Sequence, residues 1–214
     1  MDSALALPAW TVGHALAMFA MWIVMMAAMM IPASLPMIRM VATMARSRRA
    51  RQAPYVPTAV FVAGYLAVWS GFGLAATLAQ WALEAFARLD AMAPAPPVLA
   101  GLLMLGAGLY QATPLKTLCL AQCRSPLGFL TMNWREGAAG ALALGARHGM
   151  FCVGCCWALM ALLFAAGVMN LAAIALLTAL VLAERLLPWG ERLARAAGVA
   201  LALAGMAAIG YGII

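Results

Sequence analysis

The chain alternates long apolar runs with short polar connections, most of them basic. Six apolar segments cover residues 11–33, 58–83, 97–113, 137–167, 168–187 and 194–214. A helix needs about 20 residues to cross the hydrocarbon core of a bilayer, so the third segment is expected to borrow flanking residues. The fourth is long: at ~1.5 Å per residue it would extend about 46 Å, and its first turns are expected outside the hydrocarbon. The pattern predicts an all-α fold, a polytopic membrane helical bundle of about six transmembrane helices. No connection is long enough to separate two domains, so residues 1–214 are expected to form a single integral membrane domain.

Composition agrees with that pattern. Apolar residues make up 67% of the chain and charged residues 9%, against roughly 25% charged in a soluble domain. The start of the chain has no basic n-region and no small-residue cleavage site, so the first apolar segment is expected to be retained as a spanning helix. The net charge of +7 follows from basic residues in cytoplasmic loops and does not indicate nucleic-acid binding. Arg39, Arg46, Arg48, Arg49 and Arg51 follow the first segment. Lys116, Arg124, Arg135 and Arg147 precede or open the fourth, and Arg185, Arg192 and Arg195 surround the turn between the last two. With these three regions cytoplasmic, Arg88 is the one basic residue left outside, beside Asp2, Glu84 and Asp90. Both termini then lie outside. Ala141, Gly145 and Gly149 recur every four residues on one face of the fourth segment, a spacing that lets helix backbones approach closely in lipid.

The chemistry-bearing residues lie inside this apolar sequence. His148, Cys152, Cys155 and Cys156 project within an arc of about 100° when the fourth segment is helical. The pairs His148–Cys152 and Cys152–Cys156 are one turn apart, the spacing that lets two side chains of one helix reach a single ion. Arg147 is a candidate for favouring thiolate, the form that binds metal. Nine of the seventeen methionines fall between Met18 and Met44, and a helix there gathers them on about half its circumference. Pro32 and Pro36 are expected to kink that helix. Met25, Met26, Met29 and Met30 read as a run of weak soft ligands or, alternatively, as packing against Trp22 and Phe19.

Cys119 and Cys123, four apart between Pro114 and Pro126, suit a helical turn or compact loop and form a secondary ligand pair. The cysteine count of five is odd, and a disulfide framework belongs to small secreted domains, so free thiols or metal ligands fit better. Glu184 is expected to accept a proton, to pair with Arg147, or to mark an interfacial helix end with Arg185 and Trp189. The sequence has no glycine-rich phosphate loop, no Asp-Lys-Thr-Gly phosphorylation sequence and no paired-carboxylate pattern, which argues against ATP-driven pumping by this chain.

Several runs carry a family resemblance. Trp22, Met25, Met26, Met29, Met30 and Pro32 form an opening motif, and Tyr110, Gln111, Pro114, Lys116, Cys119, Cys123, Arg124 and Pro126 a middle one. The most specific is Gly145, Arg147, His148, Gly149, Cys152, Gly154, Cys155, Cys156, Trp157, Leu159 and Met160. Gly167, Met169, Asn170, Glu184, Arg185, Pro188, Trp189 and Gly190 close the series. Together they resemble a bacterial family of uncharacterised integral membrane proteins described as predicted metal-binding. Arg185 stands where the family pattern leads one to expect lysine. The resemblance implies a multi-pass protein of the bacterial inner (cytoplasmic) membrane with a metal site over these residues.

The leading expectation is a protein that binds a soft transition metal in the membrane and transfers or delivers it. Copper(I) is preferred because thioethers contribute little to zinc sites; zinc and mercury stay open. Expected partners are the lipid bilayer and either a soluble metal chaperone or a larger membrane complex. Two alternatives stand beside it: a membrane thiol–disulfide oxidoreductase using the same cysteines, and an accessory or structural subunit with passive thiols.

Overall fold

Threonine, asparagine and proline set the helix starts. Thr11 and Thr113 accept the amides of His14 and Lys116, Asn170 accepts that of Ala173, and Pro97, Pro114 and Pro126 each occupy a first helical position, where a missing N–H costs nothing. The structure, a computed structural model, describes residues 10–53, 55–86 and 89–213; Asp2 and Arg88 lie outside the described residues. Among these there are eight helices and no strand: α1 (Val12–Ala50), α2 (Thr58–Phe86), α3 (Pro97–Gln111), α4 (Pro114–Arg124), α5 (Pro126–Asn133), α6 (Gly137–Ala166), α7 (Leu171–Leu186) and α8 (Gly190–Ile213).

The fold is all-α, and each predicted apolar segment falls on a helix. α1, α2, α6 and α8 are long and apolar enough to cross a bilayer, and α3 with α4, bent by 66°, would make a fifth crossing as one broken span. α7 has 16 residues, about 24 Å of helix, and falls short of a full crossing by length. α1 continues as helix through Pro32 and Pro36. The segment between Pro114 and Pro126, expected as a turn or loop, is the helix α4.

α6 is the most buried of the long helices. Its flanks take α2, α3 and α4, while α3 and α8 pack on each other. α1 and α2 run antiparallel, with Trp22 against Gln80 at one end and Met30 against Tyr65 further along. At the opposite end, Arg48 pairs with Glu136 at 2.8 Å and lies over the Trp134 ring, tying the end of α1 to the start of α6. The outward faces carry large exposed apolar side chains, Leu78, Leu102, Leu176 and Leu203 among them, a surface suited to acyl chains rather than water.

The small-residue face of α6 meets α2 backbone to backbone. A Cβ on Gly145 would run into the carbonyl of Phe61, and one on Gly64 into that of Leu142. Gly145→Val is therefore expected to force α2 and α6 apart at a cost of about 1–3 kcal/mol or more, read as a lowered unfolding midpoint in detergent. An unchanged midpoint would show that this approach contributes little.

Candidate metal centre

The helical pitch of α6 turns its imidazole and three thiols inward. His148, Cys152, Cys155 and Cys156 are all at most 2% exposed. The three sulfurs gather around one nitrogen atom, Nη2 of Arg185 on α7. It lies 2.8 Å from Cys152 Sγ, 3.1 Å from Cys155 Sγ and 3.9 Å from Cys156 Sγ. Two further sulfurs border this group: Cys123 Sγ at 4.0 Å from Cys155 Sγ and Met30 Sδ at 3.9 Å from Cys156 Sγ. All five cysteines are free thiols.

Cys152 holds the central position. Besides Arg185, the Trp69 indole N–H donates to its sulfur at 3.3 Å, and the Tyr65 hydroxyl lies 3.0 Å away. With the indole and guanidinium N–H groups both donating to it, the sulfur is held as an acceptor. The other two thiols each reach the Cys152 carbonyl, Cys155 at 3.2 Å and Cys156 at 2.9 Å, the backbone acceptor one turn back that a helix offers to short polar side chains.

Among the described residues, Arg185 has no carboxylate partner. Its Nε and Nη1 are buried without a hydrogen-bond partner, so the sulfurs are the electron-rich groups facing its charge. The adjacent Glu184 is engaged elsewhere: Lys116 Nζ donates to it at 2.6 Å and Gln111 Nε2 at 2.7 Å. Consecutive helical residues point about 100° apart, which explains the division. Glu184 faces α3 and α4 while Arg185 faces α6. One expectation is corrected by this arrangement: Glu184, buried beside Arg185 in the last turn of α7, pairs with Lys116, not with Arg147. Arg147 is exposed; the cation beside the thiols is Arg185.

His148 is set apart from the sulfurs. Its ring stacks on Tyr65 and Phe61, with centroids at 5.6 and 6.1 Å, and meets Phe129 edge-on at 5.4 Å. Neither ring nitrogen has a hydrogen-bond partner, which leaves a buried polar group unsatisfied at a cost. Cys119 and Cys123 share α4 yet diverge. Cys123 reaches Cys155, whereas the Cys119 sulfur packs where Gly154 has no side chain. Cys119 also lines an open cavity of about 560 Å³ with Asn133, Arg135 and Arg147. Tyr110, on α3, donates its hydroxyl to the Gly154 carbonyl, fixing the helix turn between Cys152 and Cys155.

The methionine run leads to the same place. Met25, Met26, Met29 and Met30 are buried in one cluster with Trp22, Tyr65, Trp69, Cys152 and Cys156. Thus the packing and soft-ligand readings of these methionines describe the same side chains. Among the described residues, no group of three or more His, Cys, Asp or Glu side chains is arranged to hold a metal ion; a guanidinium nitrogen stands where the three thiols converge. The donors that surround it, thiols with a thioether alongside, are the kind that select soft ions.

Comparison with known proteins gives one match. The model of the PpoB2 family, described as copper chaperone, matches residues 19–208. No curated protein and no solved structure matches. The match spans most of the chain and takes in every cysteine, His148, Met25, Met26, Met29 and Met30, and it narrows the expectation of a metal-related family to copper. The chain belongs to the PpoB2 copper chaperone family.

Proposed function

We propose that this protein binds copper(I) within a membrane, at the cluster of Cys152, Cys155 and Cys156, and delivers it to a partner. The observation that carries the reading is the convergence of three buried thiols, bordered by Met30 and Cys123, on the point filled by Arg185 Nη2. A cuprous ion held by two thiolates carries one net negative charge, which the guanidinium balances. Met30, and Met25, Met26 and Met29 before it, supply thioethers that suit copper(I) and contribute little to zinc. In this reading His148, one helical turn before Cys152, is the candidate nitrogen ligand, and Cys123 and Cys119 are secondary ligands on the way out.

The topology that fits is a single membrane domain in a bacterial inner membrane, with six crossings and both termini outside. The charge bias along the chain supports it. Copper would then enter along α1 and leave near the cavity lined by Cys119, Arg135 and Arg147, where a soluble metal chaperone or a larger membrane complex could take it.

Anaerobically loaded protein is expected to retain about one copper(I) per chain with sulfur-dominated coordination in X-ray absorption, and Cys152→Ser/Cys156→Ser to lose it. Wild-type protein that retains no copper, or a double variant that keeps all of it, overturns the reading. The Cys123–Cys155 sulfur separation of 4.0 Å favours thiol–disulfide exchange as the second reading. Its mark would be redox-dependent alkylation of that pair in metal-free protein.

A further inference from the structure

The bundle buries a second carboxylate whose role the thiol site does not explain. Glu84, near the end of α2, is 6% exposed. Its Oε2 accepts from the Trp10 indole at 2.8 Å and its Oε1 from the Gln80 amide at 3.1 Å. Neither donor carries a charge. The ion pairs among the described residues, Arg48–Glu136 and Lys116–Glu184, leave Glu84 out. Glu184 shows what a carboxylate this deeply buried otherwise requires, since it has a lysine at 2.6 Å.

What stands beside Glu84 is a soft ligand. The same Gln80 Nε2 also donates to Met18 Sδ at 3.5 Å, while Gln80 Oε1 is held by the Trp22 indole at 3.1 Å. One amide nitrogen thus sits between a carboxylate and a thioether and donates to both. Met18 heads the methionine run that continues through Met25, Met26, Met29 and Met30 to Cys156. Trp10, the donor to Glu84, also lines an open, largely apolar groove of about 470 Å³ along α1 and α2.

We propose that Glu84 and Met18 form an uptake site for a monovalent soft metal cation, copper(I) on the function proposed above, at the head of the methionine run. A buried carboxylate with no counter-charge among the described residues is costly, and one monovalent cation cancels its charge where a divalent ion would leave an excess. The thioether selects soft over hard monovalent ions. The cation enters between the carboxylate and the thioether as the Gln80 amide turns aside with its hydrogens, and from there it faces the next methionines inward.

Silver(I) serves as the probe for the site by itself. Protein carrying Cys119→Ser, Cys123→Ser, Cys152→Ser, Cys155→Ser and Cys156→Ser is expected to bind silver(I) in calorimetric titration, and adding Glu84→Gln to weaken that binding about tenfold to a hundredfold. In protein with its thiols intact, Glu84→Gln and Met18→Leu are each expected to slow copper(I) loading about tenfold while the final copper content stays at the wild-type level. Met18→Leu leaves the hydrogen bonds of Glu84 to Trp10 and Gln80 in place, and so guards against a folding defect. Silver binding that is absent in the thiol-free protein, or unaffected by Glu84→Gln, overturns the proposal, as does wild-type loading speed in both variants. A wild-type protein that takes up no copper defeats the thiol reading instead, and the silver titration still decides Glu84.

Discussion

Arg185→Met is expected to lower copper(I) affinity by about 10²–10³-fold. Removing one partner of a buried charge pair costs about 3–5 kcal/mol, and each 1.4 kcal/mol is about tenfold in affinity. The guanidinium is buried, touches the sulfurs of Cys152 and Cys155 at 2.8 and 3.1 Å, and has no carboxylate partner among the described residues. A bis-thiolate copper(I) centre would lose its balancing charge with the substitution, while methionine keeps the length and apolar bulk of the side chain. Arg185→Lys should recover part of the affinity, since an ammonium restores the charge but lacks the planar fork that faces several sulfurs at once. Competition with copper(I) chelators measures both variants. A methionine variant that binds more tightly than wild type would show that Arg185 competes with the metal instead of balancing it.

How much of this was legible in the sequence depends on the kind of residue. The inward face of α6 followed from spacing alone, because a 100° pitch places Cys152, Cys155 and Cys156 on one side of any helix. The Gly145 approach was readable for the same reason. What pattern could not supply was the partner across the gap. Arg185 read as a loop cation because it sits one residue from the end of α7, and nothing local shows that α7 docks that end against the middle of α6. The pairing of Lys116 with Glu184 spans 68 residues and has no local signature either. One clue was present: Glu184 and Arg185 are adjacent charges at the end of an apolar run, and one of them on each side of a helix calls for two different partners.

The case of His148 shows the opposite limit. Its spacing from Cys152 fits a shared ion, yet the structure surrounds it with Phe61, Tyr65 and Phe129. Periodicity fixes which face of α6 it occupies, not which neighbours the facing helices bring to that height. Tyr65 connects the two layers. Its ring stacks on His148, and its hydroxyl reaches both Cys152 Sγ and the Met30 carbonyl. Tyr65 thus touches the histidine and the Cys152 sulfur at once.

The other large effect concerns what positions Arg185. Lys116→Met is expected to destabilise the protein by about 3–5 kcal/mol, because it strands the Glu184 carboxylate in the interior. Both side chains of this pair are at most 2% exposed, with Nζ and Oε2 2.6 Å apart. Glu184 also holds Gln111 of α3, and its backbone carbonyl accepts from Arg124 of α4 at 2.8 Å, so three helices meet at one residue. Glu184→Gln alone should be destabilising by a similar amount, since it leaves the lysine unpaired. The double variant Lys116→Met/Glu184→Gln removes both charges and should recover most of the loss, as replacement of buried ion pairs by neutral groups often does. Unfolding in detergent by denaturant or heat measures all three. Additive losses in the double variant would mean that the lysine and the glutamate act independently, and Arg185 would then owe its place to the packing of α7 on α6 rather than to its neighbour's ion pair.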